Sequence, residues 1–209
     1  RPVAGDLKLG RQFIQMLQPF VYQRYLDEFS IAEIKLDIRQ TKARIERRIS
    51  EKASVHTHVK LGIGGIRDIE FIIQCLQLIH GGPLPALRNR NSLESIDLLY
   101  QQGLLNATDR NVLAEAYRFL RMVEHRIQME ADQQRYSLPS KAADVIKLAK
   151  CMRYRDTESA SAPEAFQADY TRHTLAVRSI FEKILAVPVS EGGVDIALLL
   201  TTTDGEVIR

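Results

Sequence analysis

Lys60-Leu61-Gly62-Ile63-Gly64-Gly65-Ile66-Arg67-Asp68-Ile69-Glu70-Phe71 places three glycines and four charges directly before an apolar run that continues to Ile79. Glycines let the chain turn tightly and let a neighbour approach closely. The run that follows is apolar nearly all round, which a helix does when it lies buried among other helices. A central helix is therefore expected from about Ile66 to Ile79. Its first amide N–H groups, unpaired within the helix, are an expected seat for an anion at the glycine loop.

Outward from this helix, the pattern stays helical. Phe13, Leu17, Phe20, Val21 and Leu26 mark a first helix. Ser30 with Glu33 has the spacing of a capping box for a second, long one, with Ile31, Ile34, Ile38, Ile45 and Ile49 as its apolar stripe. Gly81-Gly82-Pro83-Leu84-Pro85 ends the central helix sharply. Asn91 with Glu94 opens a short helix ending at Gly103, and Thr108 opens a long one running through Val112, Leu113, Ala116, Leu120, Val123 and Ile127. Pro139, then Ser161 with Glu164, begin two more. No period-two alternation long enough for a sheet occurs before residue 190. The expected fold is all-α: an antiparallel helical bundle over 1–186, then a short irregular tail over 187–209 that joins it to a following segment.

With 209 residues, of which 45% are hydrophobic and 26% charged, the chain can bury one core without disulfides or a metal. A net charge of +3 gives no ground for nucleic-acid binding. The longest apolar stretch falls short of the ~20 residues that cross a bilayer, so no membrane association is expected. Cys75 and Cys151 lack any metal or redox spacing, which fits reduced thiols and a cytoplasmic location. Arg1-Pro2-Val3 reads as a piece of a longer chain.

The opening string, with Pro19-Phe20-Val21-Tyr22-Gln23-Arg24-Tyr25-Leu26-Asp27 before it and Gln77-Leu78-Ile79-His80-Gly81-Gly82 and Ala116-Tyr117-Arg118-Phe119-Leu120-Arg121 after it, resembles the glutamine synthetase adenylyltransferase/adenylyl-removing family. Pro83 stands where that family commonly has arginine. The resemblance implies the helical domain that follows the first, adenylyl-removing nucleotidyltransferase domain. It implies a parent enzyme that attaches AMP to a tyrosine of glutamine synthetase and removes it by phosphorolysis, using ATP and Mg²⁺ and answering to the PII signal protein. The family's catalytic Gly-Ser and Asp-x-Asp are absent from these residues, so no catalytic residue and no metal ligand is expected here, and the chain alone is expected to be inactive. Asp68 and Glu70 do not replace that pair, because helix positions two apart point roughly 200° apart.

What remains is a wall for a nucleotide. Lys60, Gly62, Gly64, Gly65 and Arg67 are the candidate nucleotide- or phosphate-binding residues, with Asp68, Glu70 and Arg121 in support. Asp68 suits the first turn of a helix electrostatically. Glu70 is expected on the buried face, paired with Arg67 or with Arg118, Arg121 or Arg126. The charges of the second helix, Lys35, Arg39, Lys42, Arg44, Arg47, Arg48 and Lys52, are expected on a solvated outer face. The alternatives are a docking module for PII or glutamine synthetase using that basic face, or the helical domain of a PII uridylyltransferase.

Overall fold

The computed structural model describes residues 3–51, 55–131 and 136–187. They form seven α-helices: α1 Leu7–Val21, α2 Glu28–Ser50, α3 Ile66–His80, α4 Ser92–Gln101, α5 Ala107–Ala131, α6 Ala142–Cys151 and α7 Ala162–Ile184, with a 3-10 turn at Pro85–Leu87. Among the described residues no sheet forms; one isolated antiparallel bridge joins His58 and Ser137. The all-α expectation holds. The expected tail lies, beyond residue 187, outside the described residues.

α3 is the hub. It packs against α2, α4, α5 and α7, and Ile66, Ile69, Ile72, Ile73, Cys75, Leu76 and Ile79 are all buried. Leu113, Leu120 and Val123 of α5 and Phe166, Val177 and Phe181 of α7 complete the core. Each such side chain contributes up to about 1.5–3 kcal/mol by leaving water. The helix stops where the glycines follow it, with the Gly81 N–H donating to the Gln77 carbonyl at 2.7 Å. No helix among the described residues is long and apolar enough to cross a membrane.

Caps decide most boundaries. Asn91 accepts from the Leu93 and Glu94 amides, and Ser161 and Glu164 close a full capping box at α7. α2 starts one turn earlier than the Ser30/Glu33 pattern predicts, because Asp27 accepts the Ser30 N–H at 2.8 Å and takes the cap position. α5 likewise starts ahead of Thr108, with Asn106 accepting the Asp109 N–H at 2.8 Å. Pro139 precedes α6 without opening it; Lys141 is the cap. Leu26 falls after α1, which ends at Val21 and buries none of its residues.

Candidate functional site: the glycine loop and the cleft beside it

The loop before α3 uses its own amides. His58 Nδ1 accepts the Leu61 N–H at 3.1 Å, and the His58 carbonyl accepts Gly62 at 2.8 Å. Gly65 donates to Gly62, Ile66 to Val59, Arg67 to Lys60 and Asp68 to Gly65, all at 2.9–3.1 Å. Gly64 donates to Asp68 Oδ2 at 2.8 Å. The amides that α3 would otherwise present to a ligand are thus satisfied within the chain, and the anion at the helix start is Asp68 itself. Gly62, Gly64 and Gly65 act as packing residues. Gly64 has φ +65°, and a Cβ there would overlap the Thr174 carbonyl of α7; side chains at 62 and 65 would strike the carbonyls of Val55 and Val59.

Lys42 holds this loop from beneath. Its ammonium donates to the carbonyls of Leu61 and Gly62 at 2.9 and 2.7 Å and pairs with Asp68. The side chain is 1% exposed, which corrects the expectation of a solvated outer face at this position, while Lys52 lies outside the described residues. The reason lies in the spacing: position 42 follows Ile38 by four and precedes Ile45 by three, so it belongs to the apolar stripe despite its charge. Arg178 of α7 joins from the far side, 3.1 Å from Glu46 and 3.7 Å from Asp68. Burial pushes the Asp68 carboxyl above the usual carboxylate range, while Lys42, the Gly64 amide and Arg178 pull it down.

Glu70 is half-buried and pairs with Arg67 at 3.0 Å, not with the arginines of α5. The buried acid of α3 is Asp68, in line with Ile72, Cys75 and Ile79, whereas Glu70 shares its face with Arg67, Gln74 and Gln77. Arg121 is engaged by Glu124 on its own helix at 2.6 Å.

The two cations of the string part company. The Lys60 ammonium lies 5.6 Å over the Tyr136 ring, where His58 stacks on the same ring. Desolvation holds the His58 pKa below its usual value, with Lys42 and Lys60 acting in the same direction. Arg67 instead lines a cleft of about 640 Å³ between α1 and α3, together with Ile14, Leu17, Glu70, Arg88 and Arg90. Its side chain is one-third exposed, with the guanidinium 5.8 Å from the Phe71 ring. Arg88 is fixed by the carbonyls of Gly81 and Gly82 and by Gln18, and Arg90 is exposed at the rim. Neither arginine carries a signal in the sequence, since each lies in the irregular stretch after α3 with no periodicity to mark it. Among the described residues no three His, Cys, Asp or Glu side chains gather as metal ligands would.

The family model described as GlnD PII-uridylyltransferase matches residues 32–185, from α2 through α7. The chain is 46% identical over 163 residues to the bifunctional glutamine synthetase adenylyltransferase/adenylyl-removing enzyme of Xanthobacter autotrophicus, covering 78% of this chain and 16% of that protein. The enzymes of the same name from Stenotrophomonas maltophilia and Nitrosococcus oceani are 44% and 39% identical, over 80% and 90% of this chain and 17% and 18% of theirs. The chain thus spans less than a fifth of the length of these curated relatives. It belongs to the family of helical domains that the uridylyltransferase model describes, in the form carried by glutamine synthetase adenylyltransferase/adenylyl-removing enzymes.

Proposed function

We propose that this chain is the helical domain of a bifunctional glutamine synthetase adenylyltransferase/adenylyl-removing enzyme, and that it lends Arg67 to the nucleotide cleft of the adenylyl-removing unit. The parent would attach AMP from ATP to a tyrosine of glutamine synthetase and remove it with inorganic phosphate, under control of PII. The Gly-Ser turn and the Asp-x-Asp whose carboxylates would hold Mg²⁺ are missing from these 209 residues, and in this reading the metal belongs to the preceding catalytic domain. Phosphorolysis at AMP gathers negative charge, and a cation from a second domain neutralises it without taking part covalently. The observation that carries this reading is Arg67, oriented by Glu70 at the lip of a cleft that Arg88 and Arg90 also line.

The test is phosphate-dependent release of AMP from adenylylated glutamine synthetase by the full-length enzyme. Arg67→Ala is expected to lower kcat/KM at least tenfold, with Arg67→Lys only partly active because the planar fork is lost. Lys60→Ala, whose ammonium is held over Tyr136 and is not among the cleft's lining side chains, is expected to cost less. Full activity in Arg67→Ala would overturn the reading.

One observation favours a docking role instead. Arg44, Arg47 and Arg48 on α2 are all exposed and form a basic stretch suited to an acidic partner surface. Charge reversal at these three would then weaken binding of PII or glutamine synthetase while leaving Arg67 function intact.

A further inference from the structure

α1 is strongly amphipathic, with apolar residues on one side, yet none of its residues is buried. Phe13, Met16 and Phe20 are 54%, 69% and 81% exposed, and Tyr25 and Phe29, which follow the helix in sequence, are 83% and 51% exposed. A fifteen-residue helix has marginal stability in water unless its apolar face is covered. An apolar helix face left uncovered in this way marks an interface.

The helix is nonetheless anchored at its far end. Arg88 donates to Gln18 at 3.0 Å and lies 4.9 Å over the Tyr22 ring. The bare Cα of Gly82 lets the Gln23 carbonyl pack directly against it, where a side chain would collide. α1 is therefore held beside the end of α3 by its C-terminal turn while its apolar face stays open.

We infer that this face is the seat of the catalytic nucleotidyltransferase domain of the same, longer chain. Three observations favour that occupant. More than four-fifths of the length of the curated relatives lies outside the matched region. The family-model match begins at residue 32, so α1 lies ahead of the matched segment. Ile14, Leu17 and Val21 of α1 also line the cleft that holds Arg67 and Arg90. A domain seated on α1 thus comes over the same cations, which makes α1 the strap that sets the catalytic domain against Arg67. The identity of the occupant rests on the proposed function; the covered face itself does not.

The experiment uses the full-length enzyme with the photo-crosslinker p-benzoylphenylalanine in place of Phe20, and separately in place of Leu175, which is 63% exposed on α7. Irradiation is expected to join position 20 to peptides of the catalytic domain within one chain, with a yield independent of protein concentration, and to give no such product from position 175. Crosslinks to a second copy that grow with concentration, to residues 188–209, or to no part of the catalytic domain would overturn the inference. Phe20→Asp gives a second readout. Faster amide exchange along α1 and a raised KM for adenylylated glutamine synthetase are expected, and exchange unchanged from wild type would count against docking. If position 20 crosslinks as expected but Arg67→Ala remains fully active, the docking stands and the active-site wall falls. The reverse pair of results removes the docking alone.

Discussion

Lys42 of α2 and Asp68 of α3 form an ion pair that is almost sealed from water, at 1% and 0% side-chain exposure, directly under the glycine loop. Both charges have further partners: two loop carbonyls for the ammonium, and the Gly64 amide for the carboxylate. Removing one member leaves the other with only its more distant ionic partner, Glu46 3.4 Å from the ammonium or Arg178 3.7 Å from the carboxylate, and breaking a buried pair in this way typically costs roughly 3–5 kcal/mol. Lys42→Met and Asp68→Asn are each expected to lower the urea midpoint strongly. The double variant should lose clearly less than the sum, because no uncompensated charge remains. Strict additivity in the cycle would show that the two side chains do not depend on each other.

Gly64→Ala should damage the fold more than its one added carbon suggests. The left-handed φ alone costs about 1–2 kcal/mol for a residue with a Cβ. The methyl would also overlap the Thr174 carbonyl, which α7 cannot move without losing helical hydrogen bonds. A clear drop in melting temperature is expected, and a wild-type melting curve would contradict the packing described.

Stability should fall on mild acidification. Burial is the leading cause that holds His58, His80 and His173 below the ordinary histidine value of 6.5. Arg172 deepens the effect at His173, while Asp169 and Glu115 oppose it. The unfolded chain takes up protons near that value that the folded chain refuses, so the stability is present above about pH 6.5 and lost as pH drops through the folded values. The raised Asp68 carboxyl works in the opposite sense, between its folded value and 3.8. Denaturant midpoints at about pH 7.5 and pH 5.5 should differ in this direction. His173→Phe, which keeps an aromatic ring against Phe119, should narrow the gap.

Arg88→Ala should loosen one helix and spare the core. Its guanidinium ties the carbonyls that follow α3 to Gln18 of α1. Amide exchange in α1 is expected to quicken by about tenfold, with α3 and α5 nearly unchanged. Equal acceleration across all helices would mean that α1 is no separate unit.

The two thiols should separate under native conditions. Cys75 is buried and desolvation pushes its pKa up to about 11, whereas Cys151 is exposed. A thiol reagent should modify Cys151 rapidly and reach Cys75 only after unfolding. Early modification of Cys75 would show that the centre of α3 opens.

The sequence alone determined the helices and the central place of α3, because caps and apolar periodicity act over three or four residues and can be read locally. Ser161 with Glu164, Asn91, and the glycines that stop α3 are of this kind. Where two local signals competed, as at Asp27 and Ser30, only the folded backbone chose between them. The tertiary structure decided which charges are buried. Asp68 goes in and Glu70 stays half out because Lys42 and Arg178, distant along the chain, are brought to Asp68 by the packing of α2 and α7 on α3. Lys60 and Arg67, close in sequence, end beside different neighbours because Tyr136 attracts one and the cleft by α1 receives the other. A buried charge depends on its partner's position in space, and that position is a property of the whole bundle.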